Sequence, residues 1–138
     1  MNGEHLITLD RLLDLHRRSI ARFNTAPLNI GQSHRDCAEG KIGNAWAAES
    51  YFDQPSTRHG LCFAGFLMFY LVKGHCFPDG NKRIGWLAAM TVLASLGLTV
   101  NATDEEAIGL VHGISTGSVS DGHEVVRWLA DKLESPED

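Results

Sequence analysis

From Thr8 the chain reads TLDRLLDLHRRSIARF, and Leu9, Leu12, Leu13, His16, Ile20 and Phe23 recur along one stripe of a helical period. That spacing predicts a helix over 9–23 with Thr8 as its N-cap. The next stretch, NTAPLNIGQSHRD, holds Pro27, Gly31 and several Asn and Ser residues. A loop of about a dozen residues is expected there, longer than the usual four to six or so. Helix formers resume at Ala45, and Gly40 and Gly43 place the start of a second helix near 42–44, with its end before Pro55. Trp46 and Phe52 belong to its apolar face.

A nearly unbroken apolar run then extends from Leu61 to Val72, with Ser56 available as a cap and Gly74 as a stop. A helix apolar on almost every side is a central, buried one. Beyond the polar stretch 75–80, NKRIGWLAAMTVLASLG is again helical and almost wholly apolar to Leu96, with Gly97 ending it. Asp104 to about Ser115 and Asp121 to Glu134 read as two shorter amphipathic helices, capped by Thr103 and Ser120 and separated by the STGS turn. The tail SPED is expected to fray. With no internal repeat and no period-2 strand, the expected class is all-α: one compact domain of about six helices over 1–138.

Composition narrows the function. A chain of 138 residues fits one domain. A content of 43% apolar and 21% charged residues is too hydrophobic for a disordered chain. The net charge of −5, from 12 cations against 17 anions, argues against a broad nucleic-acid-binding face. Cys37, Cys62 and Cys76 are odd in number and lack CxxC or Cys/His spacing. The expectation is therefore buried thiols in a reducing cytoplasm, with no disulfide framework and no structural zinc. The seven histidines share no ligand spacing either, which disfavours a metal-dependent hydrolase. Neither a signal-peptide order nor a run of about 18 apolar residues is found, so a cytoplasmic protein without membrane attachment is expected.

The chemistry gathers in HCFPDGNKRIGW, His75 to Trp86. His75 is the side-chain type that takes a proton near neutral pH, which suits a general base acting on a hydroxyl. Asp79 is a hard oxygen ligand of the kind that holds Mg²⁺ together with phosphate oxygens. Gly80 permits close backbone approach, and the amides of Asn81, Lys82 and Arg83 at a helix start make an anion site strengthened by the helix dipole. Lys82 adds a point charge and Arg83 a bidentate fork. Together they read as a nucleotide-phosphate cradle with a base beside it. Phe77 is expected to anchor the loop in the core while Pro78 fixes its bend. Taken singly, a histidine or an Asp-Gly turn is more often structural than catalytic, and NKR suits a solvated, capped helix start. The combination carries the functional reading.

HCFPDGNKR resembles the HxFx(D/E)(G/A)N(G/K)R motif of the Fic/Doc family, and Lys82, where most Fic proteins have glycine, resembles the Doc (death-on-curing) branch. LHRRSIARF, GKIGNA and SVSDGHEVVRWL are similar to Doc proteins in order and spacing. The resemblance implies a compact helical fold and a site in which His75 deprotonates a target hydroxyl and Asp79 orients Mg²⁺ or phosphate. Gly80, Asn81, Lys82 and Arg83 would hold the nucleotide. It implies a Doc-type toxin of a toxin–antitoxin system, transferring the terminal phosphate of a nucleoside triphosphate such as ATP to a Ser or Thr hydroxyl of a target protein, a translation factor by the same resemblance. Fic proteins with glycine at the lysine's position usually transfer AMP instead, and Lys82 would fill the space that an alpha and beta phosphate occupies in that reaction. The motif departs from the Doc pattern at Gly80, where alanine is common, and from the Fic pattern at Trp86, where a second arginine often stands. AMP transfer and a catalytically inactive Fic-fold interaction module are the alternatives.

Many Fic proteins carry an inhibitory (S/T)xxxE(G/N) helix whose glutamate meets that second arginine. The nearest match, RDCAEG from Arg35 to Gly40, has arginine at the Ser/Thr position, and Trp86 offers such a glutamate no partner. Inhibition in trans by a Phd-like antitoxin is therefore implied, its helix folding into a groove. The first helix and the loop 24–36, with Arg17, Arg18, Arg22 and Arg35, are candidates for the groove wall, although the same arginines suit a solvated helix face. The loop up to Gly43 is the candidate flap that would align a target peptide by strand addition.

Overall fold

The computed structural model describes residues 6–23, 29–52 and 58–134. Its six helices are α1 (Leu9–Phe23), α2 (Gln32–Phe52), α3 (Leu61–Gly74), α4 (Asn81–Ser95), α5 (Asp104–Thr116) and α6 (Gly122–Lys132). Among the described residues there is no strand, only an isolated antiparallel bridge between Val100 and Leu133. It ties the connector after α4 to the end of α6, with Asn101 N–H donating to Lys132 O at 2.7 Å. The all-α class expected from the periodicity is what the chain adopts.

The core is organised around α3, whose residues Leu61 to Met68, Leu71 and Val72 are all buried. It packs against α2, α4, α5 and α6, so only Phe69, Tyr70 and its last turn from Lys73 reach water, as its nearly all-round apolar sequence requires. Two glycines let the neighbours close in. A Cβ at Gly85 of α4 would lie 2.6 Å from Val72 Cγ2 and 3.2 Å from Met68 O, and one at Gly65 would lie 2.5 Å from Val126 Cγ2 of α6. The motif loop 75–80 joins α3 to α4 and is therefore anchored at both ends in the most constrained part of the molecule.

Helices α1, α4 and α5 match the sequence expectation closely, and Thr8 caps α1 by accepting from Arg11 N–H at 3.0 Å. Thr103 and Glu106 form the capping box of α5. The second helix differs, because α2 begins at Gln32 rather than near 42–44. Gly40 and Gly43 each cost a helix about 1 kcal/mol relative to alanine. Burial of Ala38, Ile42, Ala45 and Ala48 along one face outweighs that cost. Residues 32–43 are therefore helical and supply no extended flap; of the rest of the expected loop, 29–31 are non-helical and 24–28 lie outside the described residues, as do Ser56 and the tail 135–138. At α3 the N-cap is Gly60, which has no capping side chain, and the buried Glu49 of α2 accepts from Phe63 N–H at 2.9 Å instead. Asp121 rather than Ser120 caps α6, accepting from His123 N–H at 2.6 Å.

The expectation for the cysteines is overturned. Cys37 of α2 and Cys76 of the motif loop form a disulfide, with Cα atoms 5.4 Å apart and a sequence separation of 39. Only Cys62 remains a buried thiol. Linear spacing carried no sign of the pair, because it is the early start of α2 that lays Cys37 against the loop. On chain-entropy grounds, closing a loop of this length stabilises by about 3–4 kcal/mol.

The tight α3–α4 contact yields a paired prediction. Gly85→Val should lower the unfolding free energy by about 1–3 kcal/mol through overpacking. Gly109→Ala, where a Cβ meets nothing within 4 Å, should leave it unchanged or raise it by about 0.5–1 kcal/mol. Denaturant melts of the two variants measure both, and equal effects would contradict the packing account.

Candidate active site

The loop begins where α3 runs through Gly74 and ends on His75, which adopts the left-handed conformation (φ 48°, ψ 45°) expected of a glycine. A non-glycine residue held there costs about 1–3 kcal/mol and persists only where its surroundings fix it. His75 is exposed, whereas Cys76 and Phe77 turn into the core and are buried. Phe77 is thus the anchor the sequence suggested.

Two side chains hold the turn. Asn81 closes both backbone groups of Phe77, its Oδ1 accepting from Phe77 N–H at 3.1 Å and its Nδ2 donating to Phe77 O at 2.8 Å. From α1 the buried His16 stacks on the Phe77 ring, with centroids 4.0 Å apart and planes 17° from parallel. His16 Nε2 lies 2.8 Å from Asp79 O, and because a carbonyl only accepts, this nitrogen carries the proton and donates. Gly80 follows with φ 81°, and a Cβ there would lie 2.9 Å from Ile20 Cδ1. Conformation and space both call for the glycine at this departure from the Doc pattern.

The start of α4 is charged in an unusual sense. Gly80 N–H donates to Asp79 Oδ1 at 2.8 Å, no side chain caps the helix, and its first turn carries the exposed Lys82 and Arg83 with no acid. By contrast, α5 opens with Asp104, Glu105 and Glu106 under a capping box. Two cations at the positive end of a helix dipole oppose it, and an anion at the amides of the first turn relieves both. The side chain of Asn81 is engaged with the loop, so what it presents to a ligand is its backbone N–H.

No group of three or more His, Cys, Asp or Glu capable of holding a metal occurs among the described residues. The exposed Asp79 is one hard carboxylate beside the uncapped start of α4. That donor set fits an Mg²⁺ ion that keeps phosphate oxygens and waters as its other ligands, and supplies no protein cage. When bound there, the ion would offset phosphate charge.

A cleft of about 880 Å³ opens between α1, α4 and α5, with Lys82, Arg83 and Trp86 facing Arg18, Ser19 and Arg22. Ser19 Oγ is buried there without a hydrogen-bond partner. Lys82 and Arg83 border this cleft, whereas His75 and Asp79 lie outside its lining, on the loop just before α4. Trp86, at the position of the family's second arginine, meets Trp128 of α6 edge to face at 6.1 Å. The α1 arginines are all exposed but divide by position: Arg17, paired with Asp14 at 2.6 Å, lies outside the cleft lining, whereas Arg18, also paired with Asp14, borders the cleft with Arg22. Arg35 sits on α2, 3.8 Å from Asp10.

His16 was seen in the sequence only as part of an apolar stripe. Its one signal was being an imidazole among leucines. Burial holds its pKa below the ordinary value of about 6.5, and the Asp79 carbonyl and carboxylate offset this in part. Because the folded value lies below the unfolded one, the unfolded chain takes up the proton first as pH falls. Stability is full above about pH 6.5 and is lost progressively below it. The unfolding free energy of the parent should drop between pH 7.5 and 5.5 more steeply than that of a His16→Gln variant, measured by urea melts. Equal slopes would remove His16 as the titrating group.

The Fic/DOC family model matches residues 6–93, which cover α1 to Leu93 of α4 and the whole motif loop. A search of curated proteins found no match. The match spans most of the chain and contains every loop residue whose geometry is described above, so the chain belongs to the Fic/DOC family.

Proposed function

We propose that this protein is a Doc-type toxin that transfers the terminal phosphate of ATP to a Ser or Thr hydroxyl of a target protein, a translation factor by family resemblance. Members of the family generally transfer nucleotide-derived groups to proteins. The observation that carries the narrower reading is Lys82, exposed at the uncapped first turn of α4 beside Arg83, at the position where most Fic proteins have glycine.

In this reading His75 takes the proton of the target hydroxyl as its oxygen attacks the terminal phosphorus. The bond from that phosphorus to the bridging oxygen breaks, and ADP leaves. Lys82, Arg83 and the amides at the start of α4 hold the phosphates, Gly80 makes the turn that sets those amides in place, and Asp79 would hold an Mg²⁺ ion that offsets phosphate charge. The rigid turn made by Asn81 and His16 keeps Phe77 and Asp79 in register with this cradle.

A Phd-like antitoxin is the proposed restraint, seated in the cleft between α1, α4 and α5. In support, Glu39 of the RDCAEG segment is exposed on α2 and absent from the cleft lining, so it is not placed to act as an internal inhibitor. A cytoplasmic site of action is proposed as well, without direct nucleic-acid binding. Among the described residues no helix is long and apolar enough to cross a membrane. The packing of Trp86 on Trp128 disfavours the AMP-transfer alternative, which draws on a second arginine at that position.

Labelled ATP tests the proposal. Label from γ-labelled ATP should enter a protein of a cell extract, while label from α-labelled ATP should not. His75→Ala should lower transfer by at least about a hundredfold in a folded protein. Transfer of α-label would establish AMP transfer instead, and no transfer of either label to any extract protein would leave an interaction module.

A further inference from the structure

We infer that Cys37 and Cys76 form a redox-modifiable pair that sets how firmly His75 is held. The inference rests on the reading of His75 as the base. Downstream in the loop, Phe77 and Asp79 are fixed by Asn81 and His16, contacts indifferent to oxidation. Upstream, His75 sits in a conformation that costs free energy, and the next residue is bonded covalently to α2. The disulfide is therefore placed at the end of the loop that carries the base.

The disulfide adds stability, but α2 has other anchors on the core. Ala38 and Ile42, the buried residues that follow Cys37 on α2, hold that helix to the core through contacts that do not involve the sulfurs. Exposure also orders the chemistry, because Cys37 is half-buried whereas Cys76 and Cys62 are buried, and Cys62 Sγ lies 3.7 Å from Ala48 O as a donor. With a disulfide of the glutathione class as oxidant, the Cys37 thiolate attacks one of its sulfurs, forms a mixed disulfide and releases one thiol. The Cys76 thiolate then attacks the Cys37 sulfur and expels the second thiol. Two protein thiols are oxidised, one small disulfide is reduced to two thiols, and the two protons pass to the leaving thiolates. The reverse exchange with excess thiol reopens the bond.

Oxidation clamps His75 in place, and reduction lets residues 75–76 move. The whole chain is equilibrated in glutathione buffers of graded ratio, acid-quenched, alkylated and weighed. Cys37 and Cys76 should lose and regain alkylation together, and a Cys62→Ala variant should respond in the same way. In the native protein, a bond that persists under excess dithiothreitol, or a pair that stays alkylated at every ratio, would overturn the inference.

The second readout is backbone order, which involves no nucleotide. Order parameters at His75 and Cys76 should be near the rigid value of about 0.85 when oxidised and fall toward about 0.6 in the reduced parent and in Cys37→Ser. Unchanged values would make the bond a passive staple and refute the clamp. Transfer of γ-label should fall about tenfold in parallel with that loss of order. Loss of order on reduction in a protein that transfers no label in either state would sink the proposed reaction and leave the clamp standing, so the two failures are distinguishable.

Discussion

The side-chain amide of Asn81 satisfies both backbone groups of Phe77 at once, and the shape of the site follows from that pair of hydrogen bonds. A buried backbone group left without a partner costs about 1–3 kcal/mol, so removing this amide would strand two. With Phe77 fixed, its ring stays in the core under His16, Asp79 presents its carbonyl to His16 Nε2, and Gly80 turns the chain into α4. His75 is then left at the surface on a left-handed residue, with the uncapped, cationic first turn of α4 close behind it in sequence. A residue read first as a nucleotide ligand is, through its side chain, what folds the loop.

The same turn explains why α4 starts with cations and no cap. In α5 the first turn follows the rules for a stable isolated helix, with three acids and a reciprocal capping box. In α4 the rules are set aside, and the helix is held by the burial of Ile84, Ala88, Ala89, Val92 and Leu93 instead. Local rules broken on a rigid element are found where function demands them. A phosphate group at this turn would restore what the missing cap and acids would have supplied. The dipole, Lys82 and Arg83 then act in the same direction on it.

Most of the fold was legible because periodicity is local. The stripe Leu9 to Phe23 and the apolar runs on either side of residues 75–80 gave α1, α3 and α4, and the capping pattern at Thr103 gave α5. The motif was legible for the same reason, its polar groups lying next to one another in the chain. What stayed hidden depends on contacts between distant segments. His16 reaches Asp79 across a separation of 63, Cys37 reaches Cys76 across 39, and Glu49 caps α3 from another helix. Each is set by how α1 and α2 lie on α3 and α4. The early start of α2 belongs with them, since local glycine penalties pointed one way and tertiary burial of Ala38 and Ile42 decided the other.

The central claim is that the uncapped start of α4 is the phosphate site and that the loop beside it is already in place. Titrating the ¹⁵N-labelled protein with a non-hydrolysable ATP analogue and Mg²⁺ tests it most directly. The account predicts saturable shifts at the amides of Gly80, Asn81, Lys82 and Arg83, abolished by Lys82→Glu, while the Phe77 amide keeps its hydrogen-bonded position. Absence of shifts at these amides at saturating analogue, or a Phe77 amide that moves as though the loop refolds on binding, would contradict it.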